Sequence, residues 1–161
     1  MSSFQAGELV VYPPHGVSVI SGIERRSVAG KVQTFYVLRL QEGGTTVFLP
    51  THAAATKGLR AVSSAGEARR ALRALQRREE TTEKRTWSQR QRDYLERLRS
   101  GTLLEVAEVL RELTLIGLHK ELSYSERRVL LAARRVLVEE LAAAQGQTAA
   151  RVERQIDAIF S

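Results

Sequence analysis

Apolar positions recur with two different periods along this chain, and the change falls near Ser63. In the first stretch they come in short runs or alternate with polar and small residues, which is the period-2 pattern of strands. Residues 8–12 (Glu8-Leu9-Val10-Val11-Tyr12), stopped by Pro13-Pro14, predict one strand. Residues 17–23 predict a second, 35–40 a third, 45–50 a fourth, and 59–62 a short fifth. Ala29-Gly30 and Glu42-Gly43-Gly44 supply tight turns. Short strands joined in this way suit a small, strongly bent sheet or barrel.

Past Ser63 the apolar residues take the 3.6 period of helices. Leu103, Val106, Ala107, Leu110, Leu113 and Leu115 form one stripe, and Val129, Leu130, Ala133, Val136, Leu137 and Leu141 form another. Helix starts are marked by a Ser or Thr followed three residues on by Glu or Gln, the capping box. The pattern occurs at Ser64-Ala65-Gly66-Glu67, Thr86-Trp87-Ser88-Gln89, Thr102-Leu103-Leu104-Glu105 and Ser123-Tyr124-Ser125-Glu126. A fifth helix is expected from Thr148, and Gly101, Gly117 and Gly146 are expected at helix ends. The prediction is an α+β chain: a bent β domain over residues 1–62, then a compact all-α domain of about five helices over residues 63–161.

Composition narrows the function. The chain has 161 residues, 43% of them hydrophobic, so a packed core is within reach. No apolar run approaches the roughly 20 residues of a membrane span, and the N-terminus lacks a signal-peptide pattern. The expectation is a soluble cytoplasmic protein. Cysteine is absent, which removes thiol catalysis and thiolate metal sites. His15, His52 and His119 lie in distant regions without metal-site spacing; His15 reads as a turn residue. No phosphate-binding glycine loop or nucleophile elbow occurs. The chain is therefore expected not to be an enzyme, and to need no cofactor.

The net charge of +7 favours an acidic partner, with nucleic acid first. Cations concentrate between residues 67 and 99, where Arg69, Arg70, Arg73, Arg77, Arg78, Lys84, Arg85, Arg90, Arg92, Arg97 and Arg99 are interspersed with Glu79, Glu80, Glu83, Asp93 and Glu96. The lone tryptophan, Trp87, sits among them at a helix start. An aromatic ring beside free helix-terminal amides and Arg85, Arg90 and Arg92 can press on a polyanion with stacked bases. It can equally pack as a hydrophobic staple between helices, and the pattern alone leaves both open. In the β half, Arg26, Arg39, Phe48 and Pro50 stand on or beside strands. A strand ending in Pro suits a partner-binding edge, although Phe48 fits a small core as well.

The same residues resemble a known family. Phe4-x-x-Gly7-Glu8-x-Val10-Val11-Tyr12-Pro13-Pro14-His15-Gly16-Val17, Phe35-Tyr36-Val37-Leu38-Arg39, Thr86-Trp87-Ser88, residues 106–113 and residues 122–130 are similar, in order, to segments of the CarD/CdnL family of bacterial transcription factors. The resemblance runs from Phe4 to Phe160. It implies a Tudor-like N-terminal domain, shared with the transcription-repair coupling factor, that docks on the RNA polymerase β subunit. It also implies a helical domain touching promoter DNA at the upstream edge of the bubble, and a monomer held near the nucleoid through polymerase. By position the DNA wedge is Trp87, with Arg90 and Arg92 as basic neighbours; the polymerase-facing residues are Arg26, Val37, Phe48 and Pro50. Three positions depart from the family pattern. Phe48 replaces an Arg of some relatives, and Gln89 and Gln91 replace an Arg and a Tyr that relatives often carry. A divergent paralogue whose helical domain binds a protein instead, or a free-standing DNA-binding protein, are the alternatives.

Overall fold

The computed structural model describes residues 3–13, 15–41, 43–79 and 85–161. Pro14 and Glu42, expected in turns, and Glu80, Glu83 and Lys84, expected ahead of the second helix, lie outside the described residues. The chain divides into two compact units, Met1–Val62 and Ser63–Ser161.

The first unit is a five-stranded antiparallel sheet in the order β4-β3-β2-β1-β5, with β1 Leu9–Tyr12, β2 Gly16–Val28, β3 Lys31–Leu40, β4 Thr46–Pro50 and β5 Arg60–Ala61. One face carries Val10, Ile20, Tyr36, Leu38 and Leu49, which pack with Phe4, Ala54 and Leu59 into a core. Phe4 meets Tyr36 edge-on, ring centroids 5.9 Å apart, and its amide donates to the Tyr36 hydroxyl at 3.2 Å. Pairing slips by one residue between Ile20 and Gly22. Such a bulge exchanges the faces of a strand, so Ile20 points to the core while Gly22, Glu24 and Arg26 share the opposite face with Val37. The Ser21 hydroxyl donates to the Val37 carbonyl at 3.1 Å within this irregularity.

The second strand runs five residues past the expected end at 23. Beyond Phe35, among the described residues, no third strand pairs with β2 and β3. A two-stranded ribbon outside the core has no buried face, so Arg25-Arg26-Ser27 carry no apolar alternation to announce it. It closes through Ala29 at φ +53° and Gly30 at φ +79°, a two-residue turn with both centres left-handed.

The second unit holds α1 Ala65–Leu75, α2 Trp87–Ser100, α3 Leu103–His119, α4 Tyr124–Gln145 and α5 Ala149–Phe160. Ser64, Thr86 and Ser123 form reciprocal capping boxes with Glu67, Gln89 and Glu126. Thr102 and Thr148 accept from the amides of Glu105 and Arg151. α3 packs on α1, α2 and α4, and α4 packs also on α5. Leu103, Val106, Ala107, Leu110, Leu113, Val129, Ala133, Leu137 and Leu141 fill the core with Val152 and Ile156. Gly146 ends α4 at φ +63°, the left-handed cap that glycine adopts without strain. Gly117 differs from expectation: α3 continues through it to His119. Leu122 folds back on it, and a Cβ there would lie 3.4 Å from the Leu122 side chain. This glycine serves close approach rather than termination.

Candidate nucleic-acid interface and docking face

Trp87 occupies the first position of α2. Thr86 accepts from the Gln89 amide at 3.3 Å, and Gln89 Oε1 accepts from the Thr86 amide at 3.2 Å. Gln89 thus fills an acceptor role that an arginine, a donor only, could not fill. The Trp87 ring is half-buried and leans on the helical core. Tyr94, two turns on, lies 6.2 Å from it between ring centroids, tilted by 52°. The Arg90 guanidinium stands 5.2 Å from the Trp87 centroid. The two sequence readings of Trp87 are therefore not exclusive: one part of the ring is packed and part remains accessible.

The basic neighbours separate into different environments. Arg85 is exposed and meets Asp93 at 3.5 Å; Asp93 also pairs with Arg97 at 3.3 Å. Arg92 is exposed, five positions past Trp87 and so about 140° round the helix from it. Arg90 departs from the expectation of a DNA-facing cation. It is only 8% exposed, and its Nη2 lies 3.7 Å from Glu126, itself 3% exposed. A guanidinium buried between an aromatic ring and a carboxylate is not presented to an external polyanion. Spacing could have shown this: 87, 90 and 94 fall on one helical face, and two aromatics flanking a cation mark that face as inward.

The sequence reading took Glu126 only as a capping-box residue and did not single out Tyr94 or Glu112. Glu126 Oε1 accepts from the Ser123 amide at 2.9 Å, while Oε2 faces Arg90 and Lys120, each at 3.7 Å. Burial pushes its pKa up. Hydrogen bonding from Ser123 and the charges of Lys120 and Arg90 outweigh that and hold the carboxyl below its ordinary value. The Tyr94 hydroxyl donates to Glu112 at 2.9 Å. Burial, the Glu112 charge and this hydrogen bond push its phenol up to about 12, against a smaller opposing effect of Arg90. A second buried arginine, Arg111 on α3, donates to the carbonyl of Glu79 at 2.9 Å, holding the chain just past α1.

In the first unit, register brings the four candidate docking residues together. Val37 pairs with Phe48, and Phe35 with Pro50. The bulge aims Arg26 to the same face, where its guanidinium sits 4.2 Å from the Phe48 ring centroid and its Nη2 2.9 Å from Glu24. Phe48 is 41% exposed, so it belongs to the surface and not to the core. Val37 is buried and Pro50 half-buried. β4 is one of the two edge strands, with Pro50 as its last residue. His15 stacks on Tyr12 at 5.3 Å in a turn.

Two family models match the chain: the CarD-like/TRCF RID domain over residues 4–63 and the CarD C-terminal domain over residues 70–157. YdeB of Bacillus subtilis (strain 168), by its name a candidate transcription factor, is 31% identical over 153 residues, which is 95% of this chain and 97% of that one. Among solved structures, CdnLNt from Myxococcus xanthus is 42% identical and covers 40% of this chain and 90% of its own, with a TM-score of 0.34. The 72-residue N-terminal domain of Myxococcus xanthus CarD is 36% identical and covers 38% of this chain and 84% of its own, with a TM-score of 0.31.

Proposed function

This chain belongs to the CarD family of transcription regulators, and on that premise we propose that it docks on the RNA polymerase β subunit through its first unit and stabilises melted promoter DNA through Trp87. The half-buried, half-accessible tryptophan at a helix N-terminus carries this reading. An aromatic ring backed by Tyr94 and Arg90 is stiff enough to wedge at a base step, and the positive end of α2 beside it suits a phosphate. Arg85 and Arg92 supply salt-dependent attraction that is indifferent to sequence. On the first unit, the exposed Phe48 ring with Arg26 over it, flanked by Pro50 and supported by Val37, offers an apolar centre with a charged rim to the polymerase.

Docking keeps the helical unit at high local concentration near the bubble, so a weak DNA contact suffices. If the wedge favours the open over the closed complex by about 1.4 kcal/mol, the equilibrium moves about tenfold. The lifetime of open complexes, measured with wild type and Trp87→Ala, tests this. The variant is expected to shorten the lifetime while still binding polymerase; equal lifetimes would remove the wedge.

A second reading, an adaptor whose helical unit binds protein, draws on α4. Tyr124 is 70% and Leu131 64% exposed, one above the other, with Arg128 over the Tyr124 ring. Exposed apolar groups of this kind suit a protein partner. Footprinting separates the two, because an adaptor leaves DNA at the upstream bubble edge unprotected.

A further inference from the structure

We propose that Arg90 is a positioning residue for Trp87, fixing the ring's orientation from inside the helical unit, and that it makes no phosphate contact of its own. The inference rests on the wedge reading above and gives it a mechanical support. Three observations carry it. Arg90 is 8% exposed, so DNA outside the unit does not reach its charge. Its guanidinium stands 5.2 Å from the Trp87 centroid, within the range in which a cation is held by a ring face. Its other side meets Glu126 at 3.7 Å. Glu126 is itself immobilised, because Oε1 closes the capping box of α4 on the Ser123 amide.

The result is a continuous support from the N-terminus of α4, through Glu126 and Arg90, to the ring on α2. Tyr94 bounds the ring on the same helical face, tied by its hydroxyl to Glu112 on α3. A tryptophan at the first position of a helix would otherwise turn about its side-chain bonds at the fraying end. A wedge that rotates freely loses orientational entropy on entering DNA; one held beforehand does not. Arg90 therefore differs in kind from Arg92, which is exposed and acts, in the reading above, directly on the phosphate backbone.

The test compares Arg90→Lys, Arg92→Gln and Trp87→Ala in the full chain, each shown to be folded by circular dichroism. Lysine keeps a charge opposite Glu126 but loses the planar group beside the ring. Trp87 is the sole tryptophan, so its fluorescence reports on this site alone. Arg90→Lys is expected to red-shift the emission, raise acrylamide quenching and shorten open-complex lifetime about fivefold. The salt dependence of affinity for a labelled fork-junction DNA should stay as in wild type. Arg92→Gln should leave emission unchanged and reduce the salt slope by about one. The proposal is overturned if Arg90→Lys reduces the salt slope as Arg92→Gln does, or if it leaves emission and quenching unaltered, or if, where Trp87→Ala does shorten the lifetime, emission shifts while lifetime does not. A Trp87→Ala lifetime equal to wild type removes the wedge reading, and the Arg90→Lys emission then still decides whether Arg90 orients the ring.

Discussion

Arg90 and Glu126 hold opposite charges out of water, and a buried pair is more informative when broken than when counted. Removing one partner strands the other, which costs about 3 kcal/mol or more. Glu126→Gln keeps an acceptor for the Ser123 amide and removes only the charge, so it isolates this term. The folded pKa of Glu126 is lowered, so the stability it contributes is complete above its ordinary value of 4.5 and is lost as pH falls through the lowered one. The variant should therefore be less stable than wild type at neutral pH. The deficit should close below pH 4.5, with urea unfolding followed by Trp87 fluorescence as the measurement. A constant deficit down to the acid transition would count against the charge pair. Tyr94 has the opposite sign. Its folded pKa is raised to about 12 from 10.0, so its contribution is complete below pH 10 and lost as pH rises towards 12. Absorbance titration at 295 nm should show a late tyrosine step that is absent from Tyr94→Phe.

At the scale of elements, backbone geometry makes two further predictions and marks where sequence patterns stop being informative. Ala29 closes the β2–β3 ribbon at φ +53°, a left-handed position that costs an alanine about 1 kcal/mol. Ala29→Asn supplies the residue that this turn prefers before glycine, and should slow hydrogen exchange of the ribbon amides, a gain of about 0.5–1 kcal/mol. Gly101 caps α2 at φ −81°, an ordinary angle, yet a Cβ there would collide with the Arg97 carbonyl oxygen. Gly101→Ala should lower the melting temperature of the helical unit, by an amount corresponding to about 1–3 kcal/mol. The conformational angle alone would have marked that glycine as replaceable. The five helix starts were legible because a Ser or Thr cap and a 3.6-residue stripe are local signals, although Thr102 and Glu105 make only one of the two bonds of the box expected there. The core strands were legible because each has one buried face. The outer half of the ribbon was not, since neither of its faces is buried, and the Ile20/Gly22 slip is set by pairing rather than by composition. Gly117 was misread because its partner, Leu122, lies in the turn after the helix. Among candidate site residues, Trp87 stood out as a lone aromatic in a basic segment. The inward setting of Arg90 was legible in the 87, 90, 94 spacing, but its partner Glu126 lies 36 positions away and no pattern within α2 names it.

For the whole molecule, the proposed mechanism makes docking and wedging separate free energies, which should leave separate marks on one titration. A factor held on polymerase by its first unit acts at a concentration set by docking, whereas the size of its effect once bound is set by the difference in its contact with open and closed complexes. Arg26→Glu and Phe48→Ala alter the face on which the guanidinium covers the exposed ring. A loss of about 1.4 kcal/mol there should shift the concentration giving half the maximal lifetime about tenfold upward. The plateau lifetime should stay as in wild type, since the docked population can be restored by adding protein. Trp87→Ala should do the reverse, lowering the plateau with a much smaller change in midpoint. Loss of the capping hydrogen bond in Thr86→Ala, worth about 1 kcal/mol, should resemble Trp87→Ala in milder form, because it frays the turn that carries the ring. Raising salt should weaken the contribution of Arg85 and Arg92 and leave the docking midpoint less affected, since the docking face has an apolar centre. The two-part mechanism requires this division. If the docking variants lower the plateau as much as Trp87→Ala does, the two units act as one binding surface, and local concentration no longer explains how a weak DNA contact can stabilise the melted promoter.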